Sequence, residues 1–408
     1  MPTKQNGRSF ILAITFYLLM IGVLGLPVNP EEVSKCVMNC LSRSSDETEY
    51  LNKSRSSLCR DEGFQVRAHH CVFQDCTVMD TFGFINSTNS ACGISNVDDR
   101  YVLHTTTIVA SVFAAFFLAI RVVSKITGPF SWGADDTLLA LSSVLVVSLS
   151  ISTLKMIHWG LGRNIWVLTE HQITTFFKFL VVNEFSYLLS LSLIKASILL
   201  FFLRIFQDTK FRKAAWWTLG YIAFSTALFT VLASITRVPF SLFWEGWKNK
   251  STQGVVLDTN ALWMTHAVLN LLLDIWMLLL PATQTYRLGL VYKKKIGIIA
   301  MFSVGFFLTI VNIIRIPTLL RFNTSVDVTI NSKGMVQWSV IEICVGVVVA
   351  CMPHARQLAG SLGCHTSTGE KGKNSSGTKP IFPERSIRTI AMTPLIEESR
   401  QYDQTHSN

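Results

Sequence analysis

From Leu103 onward the chain alternates long apolar runs with short polar connections. Seven runs, approximately 103–123, 137–156, 179–203, 216–235, 261–280, 296–319 and 336–352, are each long enough to cross a hydrocarbon core of roughly 30 Å as a helix. An earlier apolar run, 10–26, follows Lys4 and Arg8 and ends among small residues such as Gly22 and Gly25. It reads as a signal peptide over residues 1–25, with an uncleaved anchor as the rival reading; either one exports the segment behind it. That segment, 26–100, has too little apolar content for a free-standing core but carries Cys36, Cys40, Cys59, Cys71, Cys76 and Cys92. The near-helical spacings 36/40 and 71/76 suit two short helices cross-linked side by side, while six cysteines still allow fifteen pairings. The pattern predicts an all-α membrane protein: a seven-helix bundle over 101–353, a small helical disulfide-stapled domain before it, and a disordered, Ser/Thr/Lys/Gly-rich tail over 354–408.

Composition agrees. Half of the 408 residues are hydrophobic and 15% are charged, against roughly 25% charged in soluble domains. The mean hydropathy is +0.39. These values exclude a coiled coil, a disordered chain and an ordinary cytosolic enzyme. The net charge of +10 first suggests nucleic acid, but its distribution does not: residues 26–100 are net acidic, and the basic excess lies in the connections and helix ends of 101–353. No nucleic-acid partner is expected. Instead, the connections on one side hold more Lys and Arg, Arg121, Lys125, Arg204 and Lys293 among them, than those on the other, which orients the bundle with that side in the cytosol. The sequons at Asn52, Asn86, Asn249 and Asn323 fall on the opposite, external side, and Asn374 falls in the tail. The expectation is a multi-pass plasma-membrane glycoprotein with its N-terminus outside and its C-terminus in the cytosol.

Ionisable groups inside apolar spans are costly and mark packing or function. Glu184 and Lys195 lie eleven residues apart on the third span, nearly on one face but too far apart to pair directly. His266, Asn270 and Asp274 form a stripe on the fifth; Asn312 and Arg315 lie one turn apart on the sixth, and Glu342 on the seventh. An interior network of these eight residues is expected. Two readings stay open: a switch whose ion pairs rearrange when a ligand binds, or interhelical glue at about 1 kcal/mol per contact.

No enzyme is expected, since HExxH, GxSxG, GxxxxGK[ST] and CxxC are all absent. His69-His70-Cys71 does not make a metal site, because adjacent residues do not readily face one ion. Retinal is not expected either: a Schiff-base lysine is required inside the seventh span, and Lys333 lies just outside 336–352. Asp135-Asp136 reads as a helix start, where carboxylates meet the positive end of the dipole.

Several segments carry a family resemblance. These are Trp132-Gly-Ala-Asp-Asp136, Gly160-Leu-Gly-Arg-Asn-Ile-Trp166, the stretch from Leu193 through Lys195 to Phe206, Asn260-Ala-Leu-Trp with His266, Asn270 and Asp274, and Trp338-Ser-Val-Ile-Glu342. Over essentially its whole length the chain resembles the fungal seven-transmembrane, rhodopsin-like proteins that carry an extracellular CFEM domain, the pathogenicity-associated GPCR-like class. The resemblance implies bridges Cys36–Cys76, Cys40–Cys71 and Cys59–Cys92, with one family disulfide missing. It also implies that haem is not bound: the iron-ligating Asp of haem-binding CFEM domains has no counterpart in 51–58, where Ser54 stands near its place. Family members further carry two cysteines in the connection between the fourth and fifth spans. Here Arg237 and Val255-Val256 stand near those sites, so the loop 236–258 is expected to be less constrained.

The function so implied is a fungal cell-surface receptor-like protein that senses an extracellular or host-surface cue. Heterotrimeric G-proteins would be its partners at the basic ends Arg204, Lys210, Arg212, Lys213, Lys293, Lys294 and Lys295, which are also suited to anionic membrane lipids. The alternative is a CFEM interaction or effector protein that acts on a host component during infection, with the helices as its anchor.

Overall fold

The computed structural model describes residues 35–45, 59, 62–127, 132–248, 255–256, 259–287, 292–323 and 327–367. The signal-peptide region, Asn52, Ser54, Asn249 and Asn374 lie outside the described residues.

Three short helices come first: α1 (Lys35–Ser45), α2 (Glu62–Asp75) and α3 (Val78–Ala91). Disulfides join Cys36 to Cys76 and Cys40 to Cys71, stapling α1 to α2 and the residue after it, and Cys59 to Cys92 at the end of α3. Val37, Ala68, Val72 and Phe84 pack around the first two bridges as a small core. α3 starts at a reciprocal cap: the Thr77 hydroxyl accepts from the Asp80 N–H, and the Asp80 carboxylate accepts from the Thr77 N–H.

Seven long helices follow: α4 (Arg100–Thr127), α5 (Ala134–Trp159), α6 (Glu170–Ile205), α7 (Thr209–Ile235), then α9 (Thr259–Arg287), α10 (Tyr292–Asn323) and α11 (Val328–Ser367), with the one-turn α8 (Leu242–Glu245) after α7. Among the described residues six of the seven are long and apolar enough to cross a membrane, and α10 contains the shorter apolar stretch Gly305–Leu320. The helices outrun the apolar runs because polar turns extend them. α6 starts at Glu170 rather than near 179, since Thr169 and Gln172 cap it reciprocally. At the other end α11 continues to Ser367, so the first part of the segment expected to be a disordered tail from 354 is helical. Its sequence, HARQLAGSL, is rich in good helix formers, and Pro353 removes only one N–H from the ladder.

The connection after α7 departs from expectation. Strands β1 (Arg237–Val238) and β2 (Val255–Val256) pair antiparallel with Arg237 opposite Val256 and Val238 opposite Val255. The two places where the resembled family carries cysteines thus face each other across a backbone ladder. Arg237 adds a hydrogen bond to the Leu242 carbonyl and stacks its guanidinium 5.6 Å from the Phe243 ring centre. The loop is held by backbone and cation–π contacts in place of a covalent link.

Candidate functional site

Three polar assemblies lie along the bundle. The first sits where the disulfide domain meets the helices. Phe82 of α3 packs on Ile165, Leu168 and Ile173 in the loop before α6 and in its first turns, with Val328 of α11 alongside. Beneath it, Asp327 accepts from the Asn164 side chain at 2.8 Å, from the Ile165 N–H at 3.1 Å and from the Thr329 hydroxyl at 3.1 Å. The Val97 N–H donates to the Asn164 side chain at 2.8 Å and the Asp99 N–H to the Gly162 carbonyl at 2.9 Å. Gly162 adopts φ +87°, a left-handed conformation, and an added Cβ would come within 2.7 Å of Leu103. The Gly-Leu-Gly-Arg-Asn segment is therefore a tight corner that ties the linker before α4 to the start of α11. Just outside the bundle, Asp98 takes a fork of hydrogen bonds from Arg100, which holds its carboxyl below the usual carboxylate range.

The second assembly lies at mid-bundle. Lys195 of α6 pairs with Asp274 of α9 at 2.5 Å and donates to the Asn270 side-chain oxygen at 2.5 Å. The Asn270 amide donates onward to Glu342 of α11 at 3.0 Å, and Glu342 pairs with Arg315 of α10 at 3.2 Å. Asn312 of α10 donates to Asp274. All six are at most 9% exposed. Two cations therefore meet two anions through two amides, contributed by four helices. Burial of this kind is tolerated because each charge is both paired and hydrogen-bonded.

The placement differs from the expected eight-residue network in two respects. Glu184 lies apart, separated from Lys195 by eleven residues of helix or about 16 Å, and the charge that acts on it is that of Arg237 on β1. His266 borders the network without a hydrogen bond to its Nδ1 among the described residues; its ring packs edge-on against Phe229 at 4.9 Å and Trp263 at 6.1 Å. A small cavity of about 30 Å³ opens between Lys195, His266, Asn270, Ser192 and Thr226. Tyr187 belongs to the network although the sequence did not mark it. Its hydroxyl donates to Glu342 at 2.8 Å and meets Arg315, whose guanidinium lies 4.1 Å from its ring centre. A phenol inside an apolar span, about two turns from Lys195 on the same helix, was the available signal.

The third assembly was not expected as a unit. Arg121 of α4 is 3% exposed. It donates to Asp135 at 2.7 Å, to Asp136 at 2.7 and 3.0 Å, and to the Ala350 carbonyl of α11 at 2.5 Å. Lys125 pairs with Asp136 at 2.7 Å, and Arg204 of α6 reaches Asp135 at 3.7 Å. Asp136 also accepts from the Gly133 N–H at 2.9 Å. The helix-start reading of Asp135-Asp136 therefore holds for Asp136, but both carboxylates are also core ion-pair partners. Arg121 and Lys125, counted as charges of a connection, are buried ones. Asp135, Asp136 and His354 offer ligand atoms within 4.8 Å of one another. Three cations already engage the two carboxylates, so this is an ion-pair cluster rather than a metal centre. The other such group, Cys40, Cys71 and Asp75, has its sulfurs in a disulfide.

Residues 120–361 match the family described as the Fungal rhodopsin domain, more than half of the chain. The protein belongs to that family. It is also similar to Fugralins biosynthesis cluster protein 2 of Gibberella zeae, with 20% identity over 271 residues, 64% of this chain and 67% of that protein. A SAT4 family membrane protein of Emericella nidulans is 24% identical over 213 residues, 50% of this chain and 52% of that protein, so the chain spans about half of that relative's length. No solved structure matches. As a fungal rhodopsin-like protein the chain invites a test for retinal. The lysine of α11 is Lys333, which is 38% exposed and paired with Asp99 at the disulfide-domain end. It does not face the bundle interior, and the residues present do not fit a retinal Schiff base.

Proposed function

We propose that this fungal rhodopsin-like membrane protein is a cell-surface receptor that senses an extracellular or host-surface cue and relays it through the bundle. The observation that carries the reading is that one helix, α11, touches all three polar assemblies. Asp327 and Thr329 at its start bind the corner beneath the disulfide domain. Glu342 sits in the mid-bundle network, and Ala350 receives Arg121 at the far end. From 327 to 350 is about 35 Å of helix at 1.5 Å per residue, the thickness of a bilayer core and more. A shift of α11 at one end changes partners at the other.

In this reading the disulfide domain is a reduced CFEM domain that receives the cue outside the plasma membrane, and the tail side faces the cytosol. Asn86 of its sequon is half-buried on α3. The network is a switch, since Asn270 and Asn312 each donate and accept and so can exchange partners at little cost. Heterotrimeric G-proteins are the proposed partners at the basic ends near Arg204, Lys210, Arg212 and Lys213. The names of the two relatives carry no receptor activity to transfer, so the reading rests on the bundle.

The test is a second-messenger reporter in cells exposed to host-surface extracts, with and without the chain. A chain-dependent response that Asp274→Ala abolishes while surface expression persists supports the receptor. Loss of surface expression in that variant supports glue, and activity of residues 26–100 released alone supports the interaction protein.

A further inference from the structure

A groove of about 600 Å³ runs between α4 and α5 on the outer face of the bundle, near the disulfide-domain end. Arg100, Tyr101 and His104 of α4 and Lys155 and His158 of α5 line it, with Ile151 on the floor, and among the described residues no acidic side chain does. Arg100 is held by Asp98. Lys155 has no hydrogen bond or ion pair among the described residues, although it projects from a helix whose neighbouring surface is apolar.

The pattern below Lys155 is specific. Ile151, Val147 and Val144 follow it at four, four and three residues, one continuous face of α5, and are 53%, 58% and 64% exposed. On α4, Ile108 and Val112 follow His104 at the same spacing and are 41% and 63% exposed. Each stripe thus starts at a cationic or imidazole donor and runs toward mid-bundle. Lys155 to Val144 covers about 16 Å, about half of a hydrocarbon core of roughly 30 Å. A polar head between donors and an apolar track one leaflet deep is the outline of one lipid molecule.

We propose that this groove is a binding site for a phospholipid with an anionic phosphate headgroup. Lys155, His158 and His104 bind the phosphate, Tyr101 borders the glycerol region, and the acyl chains lie on the stripes led by Ile151 and Ile108. An unpaired lysine on a lipid-facing helix is otherwise costly, and a phosphate at its ammonium supplies the missing counter-charge. The absence of carboxylates among the lining residues selects anionic over zwitterionic headgroups by charge alone.

The site is tested on the full chain, purified in neutral detergent, by native mass spectrometry with phosphatidylglycerol and phosphatidylcholine of matched chains offered at equal concentration. The expected result is a single phosphatidylglycerol adduct favoured by about five- to tenfold. In Lys155→Gln/His158→Gln the preference falls to about twofold or less, with the thermal unfolding midpoint unchanged. Lys155→Arg, which keeps the charge, retains the preference and shows that the loss is not one of folding. Inorganic phosphate in large excess leaves the adduct in place, because a headgroup without chains lacks the apolar track. Equal retention of both lipids by the unmodified chain overturns the proposal. So does a preference that survives the double substitution, and so does displacement by inorganic phosphate, which makes the groove a site for soluble anions.

Discussion

At mid-bundle, Lys195, Asp274, Arg315 and Glu342 are joined through Asn270, Asn312 and Tyr187, so that removing any one contact leaves each charge another partner. At the far end, Arg121 binds Asp135, Asp136 and the Ala350 carbonyl together, while Lys125 and Arg204 each reach one of the carboxylates. Both assemblies are buried and both draw on several helices, yet one is distributed and the other is centred on a single cation. A distributed network of amides has alternative pairings of similar energy, which a switch requires. A cluster centred on one guanidinium has fewer, and ties α4, α5 and α11 to one another.

The largest expected effect breaks the centred cluster. Arg121→Ala leaves two carboxylates to Lys125 and Arg204 and should cost about 3–5 kcal/mol, read as a large drop in the thermal midpoint of the full chain in detergent. Adding Asp135→Asn and Asp136→Asn should recover part of the loss, and no recovery contradicts the ion-pair account. In the distributed network, Lys195→Met and Asp274→Leu should each destabilise. The double variant should cost less than the sum, with a coupling of about 1–3 kcal/mol; strict additivity would separate the two residues. Tyr187→Phe removes one donor to Glu342 and should cost only about 1–2 kcal/mol, because Arg315 and Asn270 still bind the carboxylate. A cost equal to that of Arg121→Ala would erase the distinction between the assemblies.

The smallest effect lies outside both. Partial burial of His69 against Phe84 in the disulfide domain lowers its pKa. A histidine lowered on folding favours the folded state while neutral, so its contribution is present above the ordinary histidine range and lost as pH falls through and below it. The protection of α2 and α3 amides, relative to their intrinsic exchange at each pH, should therefore fall on acidification, and His69→Gln should remove that dependence.

The same comparison explains what could be read from the chain. His266, Asn270 and Asp274 recur every four residues on one helix, a pattern visible without any knowledge of neighbours, and each span likewise announces itself by its own apolar run. Arg121, Asp135 and Asp136 give no such signal. The arginine ends one apolar run and the aspartates begin the next, so each has a sufficient local explanation in orientation or in capping. Only the packing of α4 on α5 and α11 reveals that the explanations are shared. Glu184 shows the converse: the distance along the axis ruled out a direct pair with Lys195, but no local pattern pointed to Arg237, whose charge acts on it from beyond the bundle helices. The pairing of β1 with β2 was hidden because two-residue strands leave no periodicity to read.

The central claim is that the mid-bundle network relays a signal rather than only holding helices together. It is tested most directly by the Lys195→Met/Asp274→Leu pair, which removes a matched cation and anion and refills their volume. In reporter cells exposed to host-surface extract, at equal surface level, the account predicts that the unmodified chain raises second-messenger output and the charge-neutral pair does not. A response from the charge-neutral pair equal to that of the unmodified chain would contradict it.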